Sequence, residues 1–301
     1  VDLKGDSFTV EVPSWRATKD VTIKADIIEE ITRIYGYDNF EIHTTRTPLY
    51  PIRMDAVKSD EEKIKDILVK RYSLHEVHSY VWAYNDEQKA LGIPVEENVK
   101  LANATNPNIE TIRKSMIPTQ LCQVKSNTGF APDFGIFEIG RVVDGLNSDN
   151  KCNEKKMLAI TLFSKTKNIR ELYIGLRDML AVIADDLKHK ELTFEETAAV
   201  HSYEHPVNLN KIILDGTTIG TMAIAHPVVS KKIDKKANIV FAEIDVNKLA
   251  SVSSAGIAYS EPSKFPTMTY DLSLILGKDM YFGKLKQCWT SVDCDILKNT
   301  K

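Results

Sequence analysis

Ile212-Ile213-Leu214-Asp215-Gly216-Thr217-Thr218-Ile219-Gly220-Thr221-Met222-Ala223-Ile224 sets two apolar runs on either side of Asp215-Gly216. An Asp-Gly pair takes the positive φ angles of a tight primed turn, so the stretch predicts a hairpin and antiparallel pairing. Working outward, residues 239–244 read as a further strand, and residues 136–143 and 157–163 as two more. Leu172, Leu176, Leu180, Ile183 and Leu187 recur at helical spacing and mark a long amphipathic helix. A helix over 55–72, with Val57, Ile64, Ile67 and Leu68 on one side, precedes a predicted strand over 76–82. Hairpins and helices mix without a regular strand-helix-strand alternation, which favours an antiparallel α+β domain over a doubly wound one.

The 301 residues, 43% hydrophobic and 27% charged, suffice for two domains with cores and exclude disorder as the main state. A net charge of -3 calls for no polyanionic partner overall, so any RNA contact must be local. Cys122, Cys152, Cys288 and Cys294 fit neither a zinc motif nor a dense disulfide framework, and a reducing cytoplasm is the plainest reading. No signal peptide is read at Val1, and no apolar run approaches the roughly 20 residues that span a bilayer. The chain reads as a piece of a longer one.

Residues 1–46 read as a small α/β unit: a strand over 8–12 stopped by Pro13, a second over 21–23, and a helix from Asp26 to a stop at Gly36. Asp26, Glu29 and Glu30 crowd the first turn of that helix, with Asp20 six residues before Asp26. Carboxylate oxygens suit a hard cation such as magnesium. Helix capping, the helix dipole and a Glu29–Arg33 pair explain the same residues without a metal. Linkers are read at 44–52 and 251–256. The tail carries a predicted strand over 272–276 and a helix from Phe282, too little to bury a core alone, so the last domain reads as truncated.

His201-Ser202-Tyr203-Glu204-His205 matches a zinc-binding H-x-x-E-H pattern, but that pattern needs a helix, and Pro206 biases His205 out of the helical region. The histidines are read as loop or interface residues. No phosphate-cradling glycine loop, dinucleotide turn or serine elbow is present in the sequence. Arg113, Lys114, Lys125 and Arg141, near Asn103, Asn106 and Asn127, admit phosphate binding but are read first as solvated charges near turns.

Pro13-Ser14-Trp15-Arg16 with Asp20, then Asp26-Ile27-Ile28-Glu29-Glu30-Ile31-Thr32-Arg33-Ile34-Tyr35-Gly36-Tyr37-Asp38-Asn39, resembles the β subunits of bacterial phenylalanine-tRNA ligases. Asn106-Pro107, Ile112 to Pro118, Asn127 with Phe137-Glu138-Ile139-Gly140-Arg141, His226-Pro227, Glu243-Ile244-Asp245 and Lys264-Phe265-Pro266 with Tyr270-Asp271-Leu272 continue the resemblance in the family's order. It implies an α+β fold with a class II aminoacyl-tRNA synthetase-like antiparallel sheet and flanking helices over 50–250. A DNA-binding-like unit over 1–46 would precede it, and the start of a ferredoxin-like anticodon-binding domain over 261–301 would follow.

By the same resemblance Asp20, Asp26, Glu29 and Glu30 would hold magnesium shared with an α subunit, in a cytoplasmic α2β2 complex that uses ATP to join phenylalanine to its tRNA. The synthetase-like domain would be catalytically silent, with no catalytic or cofactor-binding residue of its own. No G-x-G-x-x-x-R motif is found, and Phe137-Glu138 lacks the arginine expected before the acidic residue. Residues 55–72 and 76–82 would correspond to the dimerisation segment, although their apolar residues serve equally to fill the domain's own core. Where the family shows His-Pro-Gly-Arg this chain has His205-Pro206-Val207-Asn208, and Tyr270 stands where an arginine is usual, so positive charge for RNA is lost at both places. A stand-alone RNA- or protein-binding paralogue is the alternative reading.

Overall fold

The computed structural model describes residues 2–257, 259, 261–262, 264–266, 268–277, 280–292 and 294. The chain divides into two compact units, Val1–Asp55 and Ala56–Lys301.

In the first unit, β1 (Asp2–Lys4) and β2 (Ser7–Thr9) form a short antiparallel hairpin. The predicted strand over 8–12 therefore ends at Thr9, and residues 21–23 form no strand. Thr22 and Ile23 instead donate their backbone N–H groups to the Asp26 carboxylate at 2.7 and 2.9 Å. Helix α1 (Lys24–Tyr35) begins two residues before Asp26, with Ile23 as its N-cap. Asp26 is the third helical residue and reaches back over the first turn, where unpaired N–H groups attract a carboxylate. A 3-10 turn over Tyr37–Asn39 follows Gly36.

The second unit is built on a seven-stranded sheet. Its elements in chain order are α2 (Ala56–Tyr72), β3 (His75–Glu76), α3 (Asn85–Leu91), α4 (Ile117–Asn127), β4 (Asp133–Leu146), β5 (Cys152–Ser164) and α5 (Ile169–Lys188). There follow β6 (Leu192–Glu196), β7 (Glu204–Leu214), β8 (Thr217–Ala225), α6 (Pro227–Ile233), β9 (Asn238–Asp245), α7 (Val246–Ser251) and α8 (Phe282–Thr290). The strand order is β3-β4-β5-β9-β8-β7-β6, antiparallel except for the β3–β4 pair. Asp215 and Gly216, with φ of 51° and 75°, close the β7–β8 hairpin as the Asp-Gly pair predicts.

Helices cover both faces of the sheet. Leu158, Ile160 and Leu162 of β5 and Val240, Ala242 and Ile244 of β9 pack with Ile64 and Leu68 of α2 and with Leu172, Leu176 and Leu180 of α5. The alternate residues Ala159, Phe163, Ile239 and Phe241 join Leu91 of α3, Leu121 and Val124 of α4 and Val229 of α6 on the other face. Burial on both faces explains why the central strands are continuous apolar runs rather than alternating ones.

Two predicted strands of the second unit fail. Pairing of residues 76–82 stops after β3 apart from an isolated Trp82–Ile112 bridge, because Ser79 turns its backbone N–H and hydroxyl to the Glu138 carboxylate. Residues 272–276 form no strand: Leu272 and Ile275 are exposed, and no neighbouring strand among the described residues completes a ladder.

Candidate functional site

Residues 13–21 form a turn that holds Arg16, whose guanidinium donates to Asp20 Oδ2 through Nε and to Glu30 Oε1 through Nη2, both at 2.7 Å. Arg33, one helical turn further along α1, takes the other Glu30 oxygen rather than the expected Glu29. The two arginines, Arg16 first, pull the Glu30 pKa down to about 2. Asp26 lies below the ordinary carboxylate range because it accepts the Thr22 and Ile23 N–H groups. Glu29 is exposed.

The donor chemistry of Asp20, Asp26, Glu29 and Glu30 suits magnesium, but their placement does not. Asp26 is occupied by backbone, and the Arg16 cation stands between Asp20 and Glu30. Among the described residues no three His, Cys, Asp or Glu side chains converge to hold an ion. As placed here the four do not fit the metal.

The H-x-x-E-H histidines do not share a helix. His205 lies in β7 and accepts the Val207 and Asn208 N–H groups, while His201 precedes the strand and pairs with Glu96 at 2.5 Å. The basic residues fare differently from expectation. Arg141 pairs with Glu154, but Arg113 is no solvated charge: it is 3% exposed, and each of its three guanidinium nitrogens donates a hydrogen bond. Nε donates to Arg141 O at 3.0 Å, Nη1 to Ser79 Oγ at 2.6 Å and Nη2 to Glu138 Oε1 at 3.0 Å. Ser79 Oγ in turn donates to Glu138 Oε2 at 2.6 Å. A buried charge pair persists when further hydrogen bonds support it, as Ser79 and Arg141 O do here. Sequence reasoning missed this network, for which the available signal was Glu138 inside the apolar run Ile136-Phe137-Glu138-Ile139.

Beside it lies a cavity of about 320 Å³ lined by Glu96, Arg113, Ser115, His201 and Tyr203. Below Ser115, Glu243 accepts the Met116 N–H at 2.8 Å. Enclosure raises the Glu243 pKa, against the Met116 and Ser115 hydrogen bonds and the charges of His201 and Arg113. The native form therefore keeps its proton to higher pH than the unfolded chain, and stability is lost as pH rises from the ordinary carboxylate value through the native one. Glu243→Gln keeps an acceptor for Met116 and has no proton to lose. Between pH 5 and pH 8 the Tm of the variant should fall less than that of the wild type; equal falls would remove Glu243 as the source.

These groups hold strands and loops together. Arg113 has its charge paired with Glu138 and each of its three nitrogens already donating, which makes it a structural cation first.

Two family models match the chain: the CLM domain of the phenylalanyl-tRNA synthetase beta chain over residues 43–246, and the tRNA synthetase B5 domain over residues 1–37. Curated relatives include the phenylalanine-tRNA ligase beta subunits of Leptospira borgpetersenii, 29% identical over 92% of this chain and 35% of the relative, and of Bacillus subtilis, 27% identical over 97% and 37%. That of Listeria monocytogenes is 26% identical over 95% and 36%. The chain thus spans about a third of the length of the curated relatives it matches. With a CLM match across most of its length, beside which the B5 match lies in the order the motifs predict, the chain belongs to the phenylalanyl-tRNA synthetase β-chain family.

Proposed function

We propose that this chain acts as a scaffold and tRNA-contacting subunit within a cytoplasmic α2β2 phenylalanine-tRNA ligase, which joins phenylalanine to its tRNA at the expense of ATP, and that the chemistry lies on the α subunit. In this reading the second unit is a silent class II synthetase-like domain over 50–250, residues 1–46 a DNA-binding-like unit and residues 261–301 the start of an anticodon-binding domain. The observation that carries it is the Arg113–Glu138 pair, 2% exposed on both side chains, because the residues nearest the expected ATP motif are closed onto each other. Most apolar residues of α2 serve their own core, as Ile64, Ile67 and Leu68 do. Val69 and Tyr80, 45% and 69% exposed, with Tyr80 stacked on Trp82, are offered as the surface facing the α subunit.

The reading extends to magnesium shared with the α subunit at Asp20, Asp26, Glu29 and Glu30. Carboxylate chemistry supports it, and it requires Arg16 to leave Glu30 on assembly. The test is mass-resolved association of this chain with the α subunit at micromolar concentration. We expect a complex that Tyr80→Asp weakens at least tenfold and that magnesium strengthens in the wild type but not in Glu30→Gln. Failure of the folded chain to associate would promote the stand-alone module. Association indifferent to magnesium would keep the scaffold and remove the metal.

A further inference from the structure

At the end of the sheet where β5 finishes and β9 begins, two loops are tied together. Ser164 pairs with Asn238 in the ladder, Asn238 Nδ2 donates to Lys167 O at 2.8 Å, and Lys165 Nζ meets Asp234 Oδ2 at 2.9 Å. Helix α6 runs into the same loop through Ser230-Lys231-Lys232-Ile233-Asp234-Lys235-Lys236, four lysines within six residues of a chain whose net charge is -3. The Lys232 ammonium lies beside Gly92 at the end of α3 and carries the charge onto a third segment.

Lys167, Lys231, Lys232, Lys235 and Lys236 are all exposed, and among the described residues none has a carboxylate within ion-pair distance. Asp234 offsets them only in part: it is ion-paired with Lys165, accepts the Lys236 N–H and interacts with the Lys236 charge at longer range. Asp133, at the same end, accepts from Ser164 and Thr166 and interacts with the Lys167 charge without pairing with it. The helix dipole accounts for Lys231 and Lys232 in the last turn of α6. It leaves Lys235, Lys236 and Lys167, which stand outside any helix, unexplained.

We infer that Lys167, Lys231, Lys232, Lys235 and Lys236 form a docking surface for the phosphate backbone of RNA. Five exposed lysines and Lys165 outnumber the two carboxylates at this end, Asp133 and Asp234, and a polyanion relieves the remaining repulsion while releasing its own counterions. A membrane surface fits less well. The helix α6 has seven residues, and with Val229 and Ile233 buried in the protein its only large apolar side chain offered to solvent is Val228, too little for a lipid-binding face. The inference goes beyond the tRNA contact in the proposed function by naming the surface, and its test uses this chain alone, so it stands or falls separately from α-subunit association.

The probe is unfractionated tRNA, titrated by fluorescence anisotropy between 50 and 200 mM salt. Four to five neutralised phosphates give a log–log slope near about -3 to -4, so affinity should fall roughly 60-fold or more over that range. K231Q/K232Q/K235Q/K236Q should lose about three units of that slope and bind at least about 30-fold more weakly at 50 mM salt, while Tm falls by no more than the few degrees that losing two helix-end charges costs. The control K63Q/K70Q/K211Q/K248Q removes the same charge from other exposed positions and should keep most of the slope. Equal losses in both variants, an unchanged slope in the first, or binding to phosphatidylserine vesicles with none to tRNA would overturn the assignment.

Discussion

Glu138→Ala is expected to lower the unfolding free energy of the sheet unit by about 3–5 kcal/mol, read from urea denaturation at pH 7. The side chains of Arg113 and Glu138 are each 2% exposed, so removing the carboxylate leaves a buried guanidinium without its paired counter-charge. Ser79 loses the acceptor of its hydroxyl at the same time. The penalty comes from stranding one charge and not from any large net gain by the pair, since burying two charges is itself costly. The double variant Arg113→Met/Glu138→Leu, which leaves no charge behind, should therefore regain most of the loss. A loss below about 1 kcal/mol in the single variant would mean that water reaches Arg113 and that the pair behaves as a surface one.

Gly220→Ala is expected to cost about 3 kcal/mol, at the upper end of overpacking penalties. Gly220 lies in β8 opposite Ile244 of β9, where an added Cβ would stand 2.2 Å from Glu243 O and 2.9 Å from Ile244 Cα. Both atoms are backbone in a central strand, so no side-chain rotation relieves the clash. The same substitution at Gly175, inside α5 with nothing within 4 Å of the added carbon, should instead stabilise by about 0.5–1 kcal/mol through helix propensity. The urea midpoints of the two variants should shift in opposite directions with unchanged slopes. Parallel shifts would show that the strands separate enough to admit a methyl group.

What could be read without coordinates was whatever depends on neighbours in the chain. Asp215-Gly216 announced its hairpin, and the leucines from Leu172 to Leu187 announced α5, because turn geometry and helical periodicity are local. The short helices α3 and α6, seven residues each, carry too few turns for a periodic signal. The strand β6 was missed because five residues at a sheet edge, with only Leu192 and Phe194 turned toward the core, resemble a loop. The predicted strand beyond Glu76 failed through a contact 59 positions away, Ser79 to Glu138, which local pattern does not register. The acidic quartet shows the same division. Its residue types and spacing were legible, but the Arg16 bridge to Glu30 spans 14 positions and emerges only once the turn at 13–21 is folded. Arg113 was misread as solvated for the same reason, since its partner lies 25 positions downstream.

The place of β9 between β5 and β8 also sets an order of events during synthesis. The β4–β5 hairpin and the β6–β7–β8 meander each close from adjacent segments, but their facing edges have no partner until Asp245 has left the ribosome. That is roughly twenty residues after β8 is complete, or about 1–4 s at ordinary elongation rates. For that interval two half-sheets stand open along apolar strands, the kind of edge that recruits other chains. Slow decoding between Ala225 and Asn238 would prolong this exposure, and the yield of soluble chain would then depend on codon choice in a segment that forms only α6 and its flanking loop.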